Sequence, residues 1–205
     1  QPDAKMAVIE MGANHQKEIE SYCTYTLPSH GIITNCGKAH LEGFGGVEGV
    51  IEGKSEMYNY LSQNDKLAFI NLEDEIQVEK SKTLKSYSFG INKEEANVNI
   101  SSIAANPFVQ IQFSNLLIQT HLIGLYNANN INAALTIGKY FGVEEVAIKE
   151  ALESYIPENN RSQLISKGTN QIILDAYNAN PSSMAVAIEN FLQLDNSNKI
   201  MILGD

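Results

Sequence analysis

Residues 5–35, KMAVIEMGANHQKEIESYCTYTLPSHGIITN, decide how the chain is read as a fold. They open on a compact apolar run, Lys5 to Met11, whose lack of alternation predicts a strand buried on both faces, as in a parallel sheet. Gly12-Ala13-Asn14 breaks the run. From about Gln16 to Thr26 the pattern is helical and stops before Pro28, and Gly31 to Asn35 (GIITN) predicts a second buried strand. Strand, helix, strand is the opening of a βαβ unit, so the expected class is α/β with a mostly parallel sheet.

Downstream, a glycine-dense loop, GKAHLEGFGG, leads into a helix from about Val47 to Leu61, with Val47, Val50, Met57, Tyr58 and Leu61 at helical spacing. The middle is β-rich and partly alternating at Lys66 to Asn71, Val98 to Ile100, Val109 to Phe113 and Leu116 to Ile123, which predicts a small antiparallel flap on the α/β core. After Gly124 two helices follow, about Asn127 to Phe141 and Val143 to Tyr155, ending at Pro157. Glu158-Asn159-Asn160 is the expected hinge, giving domains at 1–157 and 158–205. Beyond it, Gln171 to Ala176 reads as a strand, Pro181 to Leu194 as a helix and Lys199 to Leu203 as a strand, the beginning of a second, Rossmann-like sheet. There is no internal repeat.

With 205 residues and 43% hydrophobic content the chain is expected to be globular, and no stretch approaches the roughly 20 apolar residues that span a bilayer. The start, QPDAKMAVIEMG, lacks the features of a signal peptide, so a cytoplasmic location is expected. Cys23 and Cys36 form no CxxC pair and read as ordinary thiols. The net charge of −10, without a Lys/Arg cluster, argues against nucleic acid. An anionic substrate would need local help, for which magnesium is the obvious source when the substrate is a nucleotide.

Several residues stand where chemistry would be expected. Glu10 closes the first predicted strand on the carboxyl edge, where open α/β sheets bind ligands, although a strand-end Glu can simply face solvent. His40, with Glu42 beside it, lies in the loop after the second strand; alone it is an ordinary loop histidine as readily as a ligand. Lys54 falls in the apolar series 47, 50, 54, 57, 61 and so on the inward face of its helix. Its ammonium either reaches water along its stem or sits desolvated with a lowered pKa, reactive enough to form a carbamate with carbon dioxide. Asn127 and Asn130, three apart at a helix start, share a face and could address one ligand, or Asn127 could merely cap. Arg161 and Asp175 flank the second segment as a charge set that could equally be a surface pair. No GxxxxGK[ST] phosphate-binding loop is present in these 205 residues.

Taken together, Glu10 to His15 (EMGANH), Asn35, Ala39 to Gly45 (AHLEGFG), Glu48-Gly49 and Lys54-Ser55-Glu56 resemble the central ATP-binding domain of MurF-type Mur ligases. Gly124 to Asn130 (GLYNANN), Arg161-Ser162, Asp175 to Ser182 (DAYNANPS) and Ile202 to Asp205 extend the resemblance across the chain. It implies a P-loop-type central domain with a small antiparallel β subdomain, followed by the start of the C-terminal domain. It implies an ATP-dependent ligase that adds D-Ala-D-Ala to UDP-MurNAc-tripeptide, with ATP and Mg²⁺ as cofactors, in peptidoglycan precursor synthesis. By position, it implies that Glu10 and His40 help hold magnesium, that Lys54 is the lysine found carbamylated in related ligases, that Asn127 and Asn130 lie near the nucleotide, and that Arg161 and Asp175 close over ATP. A P-loop strand and an N-terminal UDP-binding domain would precede Gln1 in that family and more C-terminal domain would follow Asp205, so these residues alone are expected to be inactive. A scaffold module without catalysis, or a sister amide ligase of MurE or folylpolyglutamate type, are the competing expectations.

Overall fold

The computed structural model describes residues 3–37, 41–158, 160–177, 179, 181–196 and 198–204. The chain divides into two compact units, Gln1–Asn99 and Ile100–Asp205.

The first unit is built on a sheet in the order β1-β2-β3-β4, from β1 (His30–Ile32), β2 (Leu67–Asn71), β3 (Lys85–Ile91) and β4 (Val98–Ile100). β1 pairs parallel with β2, and β2 parallel with β3. Parallel neighbours need crossovers, and α3 (Val47–Gln63) and α4 (Glu75–Lys80) supply them. The expected helix from Val47 is therefore present and runs two residues beyond Leu61. Its apolar face buries Val50, Tyr58 and Leu61 completely or nearly so, and Tyr58 and Leu61 pack with Ile33, Ala68 and Ile70. Expected as part of an antiparallel flap, Lys66 to Asn71 instead lies inside the parallel sheet, because a helix both precedes and follows it. α4 begins at an Asp74 side chain that accepts hydrogen bonds from the Ile76 and Gln77 amides, a cap signal the apolar pattern does not carry.

The opening run departs from expectation. Residues 5–13 form no strand, and Val8 is 99% exposed. A strand is stabilised by a neighbour's ladder, and among the described residues no strand pairs with this segment, so its apolar side chains have nothing to cover them. The same holds at residues 199–203, expected as a strand: they take no regular structure, with Ile202 91% exposed. Between them, α1 (Glu18–Thr26) matches the expected helix, and a short α2 (Leu41–Phe44) precedes α3.

The second unit contains an antiparallel sheet ordered β5-β6-β7, from β5 (Ser102–Ala105), β6 (Phe108–Phe113) and β7 (Leu116–Ile123). β6 and β7 are expected in the flap, whereas Val98–Ile100, expected there too, joins the first sheet as β4, and β5 is not among the expected strands. Helices α5 (Asn127–Tyr140) and α6 (Glu145–Ser154) follow. β7 is an edge strand, and α6 covers part of that edge: Lys149 Nζ donates to the Leu117 carbonyl at 2.6 Å and Glu153 accepts from the Gln119 amide at 2.9 Å. β8 (Gln163–Lys167) and β9 (Asn170–Leu174) make an antiparallel hairpin, and α7 (Pro181–Gln193) follows it. The described residues contain no helix long and apolar enough to cross a membrane.

Candidate active site

In the first unit the polar side chains gather where β1 and β2 end at their carboxyl edge. α3 places Lys54 there, half-buried, with Nζ donating to the Asn35 carbonyl at 2.7 Å. Burial pushes the Lys54 pKa down, opposed by the neighbouring Cys36 thiol and Asp74 carboxylate. Asp74 is itself fixed: besides capping α4 it accepts from Gln77 Nε2 at 3.0 Å. Gln77 is fully buried, and its Oε1 accepts from the Tyr58 hydroxyl at 3.2 Å and the Asn71 amide at 3.3 Å. The Cys36 thiol is free, and desolvation with the Asp74 charge raises its pKa, while Lys54 and Lys80 pull it down.

The loop carrying Asn14 and His15 is tied to α3 by a residue whose role the apolar pattern did not reveal. Glu56, only 8% exposed, reaches across from α3 so that its two oxygens accept from the Lys17 amide at 2.6 Å and the Glu20 amide at 3.0 Å. It thereby caps α1, whose own flanking residue, Lys17, offers no side-chain cap. On the loop's other side lies α2, and a Cβ on Gly43 would overlap the Asn14 carbonyl oxygen. The glycine of the LEGFG string is thus required by close approach of two backbones.

Glu10 is exposed in the unpaired segment 5–13. His40 lies outside the described residues, as do Lys38 and Ala39 of the same motif. Among the described residues no group of three or more His, Cys, Asp or Glu is arranged to hold a metal ion. Magnesium, a hard cation, keeps several waters and takes only one or two protein carboxylates alongside phosphate oxygens, so it does not require a cluster of three protein ligands.

In the second unit, the Asn127 side chain donates from Nδ2 to the Ile123 carbonyl at 2.7 Å and accepts from Asn130 Nδ2 at 3.0 Å. The two amides therefore act as one pair at the start of α5, with Asn127 buried and Asn130 exposed. Nearby in sequence, the Asn129 Oδ1 is buried without a hydrogen-bond partner among the described residues, and nothing in the structure explains it. Just before the β8–β9 hairpin, the Ser162 amide donates to Asp175 Oδ1 at 3.3 Å, and the Arg161 guanidinium lies 4.0 Å from the centre of the Tyr177 ring. Ser162 also shares a short hydrogen bond with the Tyr126 hydroxyl.

A family model for the Mur ligase middle domain matches residues 1–138. The chain belongs to the Mur ligase family. Over 205 residues it is 30% identical to the UDP-N-acetylmuramoyl-tripeptide--D-alanyl-D-alanine ligase of Bacillus subtilis (strain 168), covering 99% of this chain and 45% of that protein. The ligase of the same name from Haemophilus influenzae is 32% identical over 206 residues, again with 45% of its length covered. This Mur ligase chain thus spans about half the length of the curated relatives it matches. Among solved structures, MurF from Acinetobacter baumannii superposes with a TM-score of 0.77 at 30% identity, covering 90% of this chain and 42% of that one. The MurF ligase of Thermotoga maritima, solved in complex with ADP, superposes with a TM-score of 0.75 at 23% identity and shares the fold over 89% of this chain and 43% of its own.

Proposed function

We propose that this Mur ligase chain is part of an enzyme that joins D-Ala-D-Ala to UDP-MurNAc-tripeptide at the expense of ATP, in the cytoplasm, as a step in peptidoglycan precursor synthesis. The observation that carries the reading is similarity of about 30% along nearly the whole chain to relatives that bear this activity in their names. The partly buried Lys54, with its lowered pKa on the carboxyl edge of the parallel strands, adds the kind of group the chemistry needs.

In this reading a carboxylate oxygen of the tripeptide attacks the γ-phosphorus of ATP, giving an acyl phosphate and ADP. The amine of D-Ala-D-Ala then attacks the acyl carbon, and the tetrahedral intermediate expels inorganic phosphate as the amide forms. Bound magnesium would neutralise charge on the phosphate oxygens during transfer. Glu10 and His40 would hold it, with Lys54 joining them once carbamylated. A lowered pKa makes more of the Lys54 amine neutral at a given pH, and only the neutral amine adds carbon dioxide. The Asn127–Asn130 pair presents amide groups to the nucleotide, while Arg161 and Asp175 approach it from beyond the boundary expected near residue 158. These 205 residues contain no GxxxxGK[ST] loop to cradle phosphates, so by themselves they would show negligible ligation.

The test is phosphate release by the protein at its natural length, with ATP, magnesium and UDP-MurNAc-tripeptide, comparing D-Ala-D-Ala with single amino acids. Release that requires D-Ala-D-Ala is expected. Release with a single amino acid instead would move the chain to a sister ligase, and silence with every amine would leave a non-catalytic module.

A further inference from the structure

The proposed nucleotide contacts of the second unit come from two places 31 or more residues apart in sequence: Asn127 and Asn130 on α5, and Arg161 and Asp175 around the β8–β9 hairpin. Something must fix one set against the other, and a single side chain spans them. The Tyr126 hydroxyl, immediately before α5, shares a short hydrogen bond with Ser162 Oγ, and the Ser162 amide donates to Asp175 Oδ1 at 3.3 Å. The Ala176 amide in turn donates to the Asn160 carbonyl at 2.9 Å, so both ends of the hairpin are drawn to one point.

Two independent features show that this contact is built into the fold. Gly124 sits at φ +89°, and a Cβ there would overlap the Tyr126 ring, so the ring folds back over a backbone that only glycine permits. Ser162 holds φ +49°, a left-handed conformation that non-glycine residues avoid unless their surroundings hold them there. Burial raises the Tyr126 pKa, opposed by hydrogen bonding to Ser162 and Asn127 and reinforced by the Asp175 charge, so the hydroxyl stays neutral near pH 7.

We propose that Tyr126 is a positioning residue for the nucleotide: through Ser162 its hydroxyl keeps Asp175 and Arg161 in fixed register with the Asn127–Asn130 amide pair. The inference rests on the ligase reading for its substrate. Its physical content is a coupling between α5 and the hairpin that exists without substrate.

The experiment uses the natural-length protein and the variants Tyr126→Phe, Ser162→Ala and the double variant. Each single change is expected to raise the KM for ATP about five- to tenfold, the worth of one lost hydrogen bond, with the KM for the amine unchanged. The double variant should be no worse than either single, because both remove one contact. An ATP KM that does not move in Tyr126→Phe, or one that rises together with the amine KM, would overturn the proposal. Amide hydrogen exchange over residues 163–174 provides a second readout: faster exchange in Tyr126→Phe is expected, and unchanged exchange refutes the coupling even if the wild-type protein releases no phosphate. That last silence would sink the ligase reading separately.

Discussion

Moving the Lys54 ammonium into a half-buried position beside the Asn35 carbonyl disfavours its charged form, and this has a consequence in stability as well as chemistry. In the unfolded chain the lysine titrates near 10.5; in the folded chain it titrates lower. Between those two values the unfolded state binds more protons, so the unfolding free energy rises with pH across that window, while below it the penalty for burying the charge is fully present. Urea midpoints measured over a pH series should show this rise, and Lys54→Met should remove it and be the more stable protein at neutral pH. A variant whose pH profile parallels the wild type would place the Lys54 head in water. The chemical side follows the same sign: an amine that loses its proton more readily is the lysine on which carbon dioxide would act first.

At the scale of elements, α1 depends on α3 through Glu56. Four amides open every helix unpaired, and here two of those needs, at Lys17 and Glu20, are met by a carboxylate 39 and 36 residues away. Glu56→Ala should therefore cost about 1–3 kcal/mol, read as a lower urea midpoint with an unchanged slope, because two partly buried donors lose their acceptor. A cost within experimental error would mean that water replaces the carboxylate without loss. The extent of α1 and α3 was legible in the sequence because helical spacing and breakers such as Pro28 are local signals. Glu56 as a cap was not, since nothing local marks an acid that serves another helix. The strand expected at residues 5–11 failed for the converse reason: an apolar run records a tendency to be buried, whereas a strand needs a partner. β3 and β8 escaped notice because their polar residues, such as Ser86, Ser88 and Ser166, interrupt the apolar pattern.

For the molecule as a whole, the α/β class and the small antiparallel sheet could be read from runs and alternation, while the parallel placement of β2 emerged only from the helices around it. The sequence offered the candidate site as residue types at expected strand ends and helix starts, but Glu10 lies in a segment that forms no strand and His40 falls outside the described residues. The structure adds which of them share bonds: Lys54 with Asn35, Asn127 with Asn130, Ser162 with Asp175 and Tyr126. A contact such as Tyr126 to Ser162, spanning 36 residues, has no sequence signature. The measurement that bears most directly on the proposed ligation uses UDP-MurNAc-tripeptide carrying ¹⁸O in its terminal carboxylate, with ATP, magnesium, D-Ala-D-Ala and the natural-length protein. An acyl phosphate requires one carboxylate oxygen to leave with phosphorus, so the account predicts one ¹⁸O in each released phosphate and one D-Ala-D-Ala added to the peptide. Phosphate released without label would mean that water, and not the carboxylate, takes the phosphoryl group, and would contradict the account.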